Sequence, residues 1–311
     1  MPNKVLKFFK TNALFIAMII GVVFHNFITS AAFMTPYLLF FILLIAFSRV
    51  SLQNIKITPL YLWLACVQFG GCLLVYFLLK PFNLDLAEGC MICVLAPAAA
   101  ASAVIVGLLG GSVISMATYT ILSTLLVAIF APGIFSAIGA HGHAGEDLSF
   151  IHSFLDICAS VMPVLFGPFI LALVLKKVTP RIHHFLHEGQ IYSFWLWAIA
   201  LTILMANTTS KLLTKIEEDQ AIIVHILLIV FSAAVVCWLQ FSTGWFLGKK
   251  YGDRIVGGQG LGQKNTILAI WMANTYFSPL VAIAPASYVV WQNILNSYQL
   301  WKHQKKLDKK D

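Results

Sequence analysis

The sequence predicts an all-α polytopic membrane protein: ten transmembrane helices arranged as two inverted five-helix repeats, with broken helices four and nine crossing. Three observations carry this. The 311 residues are 60% hydrophobic and only 10% charged, with a mean hydropathy of +0.88, where a soluble domain carries about a quarter charged residues. The uncharged stretches match bilayer-crossing lengths, and two helix-breaking motifs fall at corresponding places in the two halves. A water-facing globular enzyme is excluded by the composition alone.

A crossing helix needs about 20 mostly apolar residues, so long gaps between charges mark the spans. Lys10 to Arg49 encloses 38 uncharged residues, and the polar interruption at His25, Asn26, Thr29 and Ser30 divides it into spans one and two. Lys56 to Lys80 holds span three. Glu88 to Glu146 encloses 57 residues without Asp, Glu, Lys or Arg, broken at Gly110-Gly111 and ending in Ala140-His141-Gly142-His143, which gives spans four and five. Asp156 to Lys176, Glu188 to Lys211 and Asp219 to Lys249 supply spans six, seven and eight. Ser278-Pro279 cuts Ile255 to Trp301 into spans nine and ten.

Orientation follows the distribution of Lys and Arg. With both termini cytoplasmic in an inner (plasma) membrane, the inner segments hold Lys4, Lys7, Lys10, Arg49, Lys56, Lys176, Lys177, Arg181, Lys249, Lys250, Arg254, Lys302, Lys305, Lys306, Lys309 and Lys310, which is 16 of the 20. The outer loops hold only Lys80, Lys211 and Lys215, with Asp85, Glu88, Glu146, Asp147, Glu217, Glu218 and Asp219. The net charge of +8 is therefore a mark of topology, and its expected partner is the lipid bilayer rather than nucleic acid. The N-terminal apolar stretch runs into a second span without a small-residue cleavage site, so it reads as the first membrane helix. The cysteines Cys66, Cys72, Cys90, Cys93, Cys158 and Cys237 all fall within spans and read as packing thiols. The segment Pro180 to His187, with three histidines and an arginine, reads as an interfacial connector on the inner side.

Discontinuous helices expose backbone groups near the bilayer midplane and commonly build transport sites. Span four contains Leu95-Ala96-Pro97 followed by small residues to Ala103, where Pro97 removes a helical hydrogen bond. Span nine contains Gly257-Gly258-Gln259-Gly260-Leu261-Gly262-Gln263-Lys264-Asn265. Each is the fourth helix of its five. Because five is odd, the halves lie in opposite orientations, and matching breaks imply two discontinuous helices that cross.

Gly89 to Leu126, especially Pro97-x4-Ser102, Gly111-x-Val113 and Ser123-Thr124-Leu125-Leu126, resembles the bile acid:sodium symporter family in its bacterial ten-helix form. Gln68-Phe69, Phe277-Ser278-Pro279-Leu280 and Trp291-Gln292-Asn293 resemble it too, so the likeness extends over nearly the whole chain. The resemblance implies one transporter domain with a panel (approximately 11–50 and 151–210), a core (approximately 57–138 and 220–301) and an organic-anion site between them. It implies a secondary transporter of a small organic anion, of steroid, vitamin or keto-acid type, working by alternating access as a monomer, with no cofactor and no enzymatic activity.

The chain departs from the family at its ion site. The family's span-nine motif is Glu-x-Gly-x-Gln-Asn, against which this sequence has Gly260 for the Glu and Lys264 for the Gln, keeping Gly262 and Asn265. In span four Ser102 is kept, but Ala103 replaces an Asn. The resemblance places Lys264, Gln68, Ser102, Thr120 and Gln263 in the ion-site region, and Asn265, Gln292 and Asn293 at the substrate. Sodium wants oxygen ligands, so a site that has lost a carboxylate and an amide and gained an ammonium is electrostatically wrong for it. The expectation is that the Lys264 ammonium replaces the sodium ion. A charge at the bilayer centre costs at least about 2.5 kcal/mol and is rarely idle. Lys264 then acts as a fixed cation, as a group that loads and releases a proton, or as a direct contact for the anion. Alternatively, since Arg254 is only about 15 Å away if helical, it snorkels to the cytoplasmic interface. The coupling ion is thus proton, sodium or none. The competing functions are a sodium-coupled symporter with relocated ligands and a non-transporting receptor or sensor.

Overall fold

The computed structural model describes residues 16–49, 57–139, 150–218 and 222–307. Lys4, Lys7, Lys10, Lys56, Lys309 and Lys310, the stretch Ala140-His141-Gly142-His143, and Glu146, Asp147 and Asp219 lie outside the described residues. After helical residues 16–23 and the turns His25–Ile28 and Thr29–Met34, twelve helices follow. They are α1 (Thr35–Ser48), α2 (Pro59–Leu79), α3 (Leu84–Leu95), α4 (Ser102–Leu108), α5 (Val113–Ala137), α6 (Phe150–Val178), α7 (Pro180–Glu188), α8 (Gln190–Glu218), α9 (Ile222–Lys250), α10 (Arg254–Gly262), α11 (Thr266–Tyr276) and α12 (Ile283–Leu307).

Among the described residues, six stretches are long and apolar enough to cross a membrane: His25–Ser48, α2, α5, α6, Ile191–Glu217 and α9. The protein is a multi-pass membrane protein. Large apolar side chains such as Phe77 (64% exposed) and Phe246 (71% exposed) face outward, which suits hydrocarbon as the surrounding solvent. Pro132 in α5 and Pro163 and Pro168 in α6 sit inside their helices, as membrane helices tolerate.

The chain divides into two compact units. One comprises Met1–Arg49 and Ala159–Ile223. Here the polar quartet expected to end span one stays helical: Thr29–Met34 tightens to a 3-10 turn, with Thr29 Oγ1 donating to His25 O at 2.7 Å and Ser30 Oγ to Phe27 O at 2.8 Å. Their hydroxyls are satisfied locally, so no loop is needed. α8 packs along α1. Gly21 permits close approach of the first helix to it, since a Cβ there would stand 2.8 Å from Met205 Cβ. Phe47 meets Phe169 edge-on at 5.4 Å. The connector is the helix α7, started by Pro180 in its first turn. Burial and the positive charges of Lys176, His187 and His184 hold His183 below the usual histidine range.

The other unit comprises Val50–Cys158 and Val224–Asp311. Its helices have legible starts: Pro59 in the first turn of α2, and side-chain caps by Asn83, Ser112, Asp253 and Asn265 on α3, α5, α10 and α11. α9 and α10 are pressed together through glycines. A Cβ on Gly257 would stand 2.7 Å from the Cα of Gly248, so only glycine fits. Leu60, Tyr61, Leu64, Ala98, Val106, Met116, Tyr119, Val256 and Leu261 form a buried cluster beneath the two breaks. Several charges expected in outer loops lie within helices instead. Glu88 lies inside α3 at 8% exposure rather than in an outer loop, because Asn83 caps the helix five residues earlier and carries the chain past it. Lys211, Lys215, Glu217 and Glu218 lie within α8, which continues about two turns past Lys211 because no breaker precedes Glu218.

Candidate functional site

Span four is divided between α3 and α4, of 12 and 7 residues, and span nine between α10 and α11, of 9 and 11 residues. No half is long enough to cross alone. Pro97 pushes Ala96 into extended geometry (φ −48°, ψ 138°), ending α3. Gln263, at φ −96° and ψ 98°, ends α10. The two breaks then pair as a short antiparallel bridge between Ala98 and Lys264. Ala99 N donates to Gln263 O at 2.9 Å and Asn265 N to Pro97 O at 2.8 Å. Backbone groups lost to the helices are recovered by pairing the breaks with each other, as a water-poor interior demands.

The C-terminal carbonyls of α3 are taken by side chains. Lys264, 1% exposed, donates from Nζ to Val94 O at 2.8 Å and to Ala96 O at 2.9 Å. It does not reach the interface, so the snorkelling alternative is overturned: the break turns the side chain toward α3 instead of along the helix. Gln68 Nε2 donates to Leu95 O at 2.7 Å and Ala96 O at 3.2 Å. The ammonium therefore sits at the negative end of a helix dipole among carbonyl oxygens. Among the described residues no carboxylate pairs with it.

The remaining expected residues fall into two groups. Ser102, Gln263 and Gln292 join the crossing: Ser102 Oγ donates to Ala99 O at 2.6 Å and Gln263 O at 3.4 Å, while Lys264 N donates to Gln292 Oε1 at 2.9 Å. Thr120, Asn265 and Asn293 bond locally. Thr120 Oγ1 donates to Met116 O at 3.0 Å, Asn265 Oδ1 accepts from Leu268 N at 3.3 Å, and Asn293 Nδ2 donates to Val289 O at 2.6 Å. Four participants were missed. Tyr119 OH and Ser123 Oγ donate to Gln68 Oε1 at 3.1 and 3.0 Å, and Ser123 Oγ accepts from Ala98 N at 3.2 Å. Tyr288 OH donates to Gly262 O at 2.8 Å, and Gln240 Nε2 donates to Tyr288 OH at 3.0 Å and Cys93 O at 3.2 Å. Ser123 lies in the Ser123-Thr124-Leu125-Leu126 motif, and only their polar character within apolar spans signals Tyr119, Tyr288 and Gln240.

Nitrogen donors occupy the backbone oxygens at the crossing. At Gly260, where the resemblance would place a carboxylate, a Cβ would stand 3.0 Å from the Tyr119 ring and 3.2 Å from Leu64 Cδ1, so a larger residue there requires these side chains to shift. The carbonyls that suit a hard cation already receive Lys264 and Gln68.

Comparison with known proteins agrees with this architecture. No curated protein matches the chain. A family model, described as the Sodium Bile acid symporter family, matches residues 51–216. The match takes in Gln68, Ser102 and Thr120 and stops short of Lys264. Covering more than half of the sequence, it establishes that this chain belongs to the sodium bile acid symporter family, a family of membrane transporters.

Proposed function

We propose that the protein carries a small organic anion across the membrane by alternating access and independently of sodium, the Lys264 ammonium taking the place of the ion. One observation carries the reading: the ammonium bonds to Val94 O and Ala96 O, at 2.8 and 2.9 Å, at the crossing of two broken helices. A cation fixed to the chain supplies the positive charge that holds such a crossing together, so no ion need be bound. In this reading ten helices form two inverted repeats. The panel (approximately 11–50 and 151–210) and core (approximately 57–138 and 220–301) are supported by the division into two compact units. The protein is a monomer of the inner membrane with cytoplasmic termini. Gln68, Ser102, Thr120 and Gln263 surround the former ion region, and Asn265, Gln292 and Asn293 contact the substrate.

The test is uptake into proteoliposomes of a panel of steroid, vitamin and keto-acid anions, with sodium or potassium outside. Transport is expected at equal rates in the two salts, and Lys264→Gln is expected to abolish it or change its pH profile. Strict sodium dependence of the native protein, or an unchanged rate and pH profile in the variant, overturns the proposal.

A further inference from the structure

The start of α10 and the end of α12 converge on one turn. Gly110, at φ +80°, and Gly111 form that turn. A Cβ on Gly110 would stand 3.9 Å from His303, and one on Gly111 3.0 Å from Ile255. Arg254 opens α10 and Lys302 and Lys305 lie on α12, while Lys250 is the last residue of α9, just before α10. Each cation rests over an aromatic ring: Lys250 at 5.6 Å from Tyr251, Arg254 at 5.9 Å from Trp245, Lys302 at 5.8 Å from Tyr298 and Lys305 at 5.1 Å from Trp301. Among the described residues none of the four forms an ion pair. Asp253, an acid near them in the chain, accepts at Oδ1 from Val256 N at 3.2 Å as a helix cap.

Tyr298, Trp301, Lys302 and Lys305 follow i, i+3, i+4, i+7 spacing and so share one face of α12. Tyr298 is 53% and Trp301 55% exposed. A face with two ammonium groups, neither in an ion pair among the described residues, beside two broad rings matches a ligand that joins an anionic oxygen cluster to an apolar body. We infer that this face docks the headgroup of an anionic phospholipid, its phosphate between Lys302 and Lys305 and its glycerol and upper acyl carbons against Tyr298 and Trp301. A free phosphate would leave the rings unused. Amphipathic ring systems settle at the headgroup level of a bilayer, and clustered lysines draw anionic lipid there.

The experiment titrates the purified full-length protein, in neutral detergent, with phosphatidylglycerol or phosphatidylcholine of the same acyl chains, and counts bound lipids by native mass spectrometry. The native protein is expected to prefer phosphatidylglycerol. The double variant Lys302→Gln/Lys305→Gln is expected to bind it roughly 30-fold more weakly, with phosphatidylcholine unchanged. Tyr298→Ala/Trp301→Ala is expected to weaken both lipids. All four side chains lie at the helix surface, and an unchanged melting temperature confirms that each variant is folded. Equal affinity of the native protein for the two lipids, or an undiminished preference in the lysine variant, overturns the inference. Displacement of phosphatidylglycerol by inorganic phosphate also overturns it, by assigning the site to a free anion. None of these outcomes depends on transport.

Discussion

Lys264→Met removes the ammonium while keeping an unbranched apolar stem in a position 1% exposed. Its two hydrogen bonds, at 2.8 and 2.9 Å, are lost. Ala96 O retains Gln68 Nε2 at 3.2 Å, so Val94 O is the group left without its side-chain donor. An orphaned buried acceptor costs about 1–3 kcal/mol. Against this stands relief of the several kcal/mol it costs to bury a charge. Because the helix terminus and two carbonyls already compensate that charge, we expect the first effect to win, with a net loss of about 1–3 kcal/mol. At about 2–4 °C per kcal/mol for a chain of this order, the apparent melting temperature falls by several degrees. The assay is thermal unfolding in detergent at one fixed scan rate, because such unfolding is commonly irreversible, performed in sodium and in potassium chloride. A variant more stable than the native protein would refute the idea that the carbonyls compensate the charge. A sodium-specific stabilisation of the native protein would refute the replacement of the ion by the ammonium, since any ligand bound only to the folded state raises its stability.

Gln68→Leu strands Leu95 O, Tyr119 OH and the Ser123 hydroxyl in a position that is fully buried, and should cost at least about 3 kcal/mol in the same melting assay. Thr120→Val, whose hydroxyl serves only Met116 O on its own helix, should change stability by less than about 1 kcal/mol; similar losses for the two would break the distinction between crossing and local bonds. Gly257→Ala would drive a Cβ into the backbone of Gly244 and Gly248, and should destabilise by about 3 kcal/mol or prevent accumulation of folded protein on gel filtration. Gly70→Ala, with nothing within 4 Å, should be neutral or stabilising by up to about 1 kcal/mol.

Much of this was legible because breaks and caps are written in residue type. Pro97 and Ser278-Pro279 each end a helix where the sequence says they must, while the glycines of span nine stay helical and serve close packing, α10 ending only at Gln263. The contacts of Lys264 were not legible. Its partners are the carbonyls of Val94 and Ala96, and any residue at those positions supplies the same oxygen, so no side-chain pattern encodes them. Glu88 was misplaced for a related reason: charge spacing marks bilayer boundaries only when a charge cannot be buried, and here Asn83 starts the helix before it. Tyr119 and Ser123, one helical turn apart on α5, meet Gln68 more than 50 residues away, and Gln240 meets Tyr288 across 48 residues, so these contacts exist only in the folded chain.

A lysine at the crossing has a thermodynamic character that a bound ion lacks. Sodium would come and go with its activity on either side, so occupancy of the crossing would follow the composition of the medium. The ammonium of Lys264 has no activity to vary: it cannot be diluted, exchanged for potassium or removed by dialysis. Whatever the salt outside, the oxygens of Val94 and Ala96 face the same nitrogen.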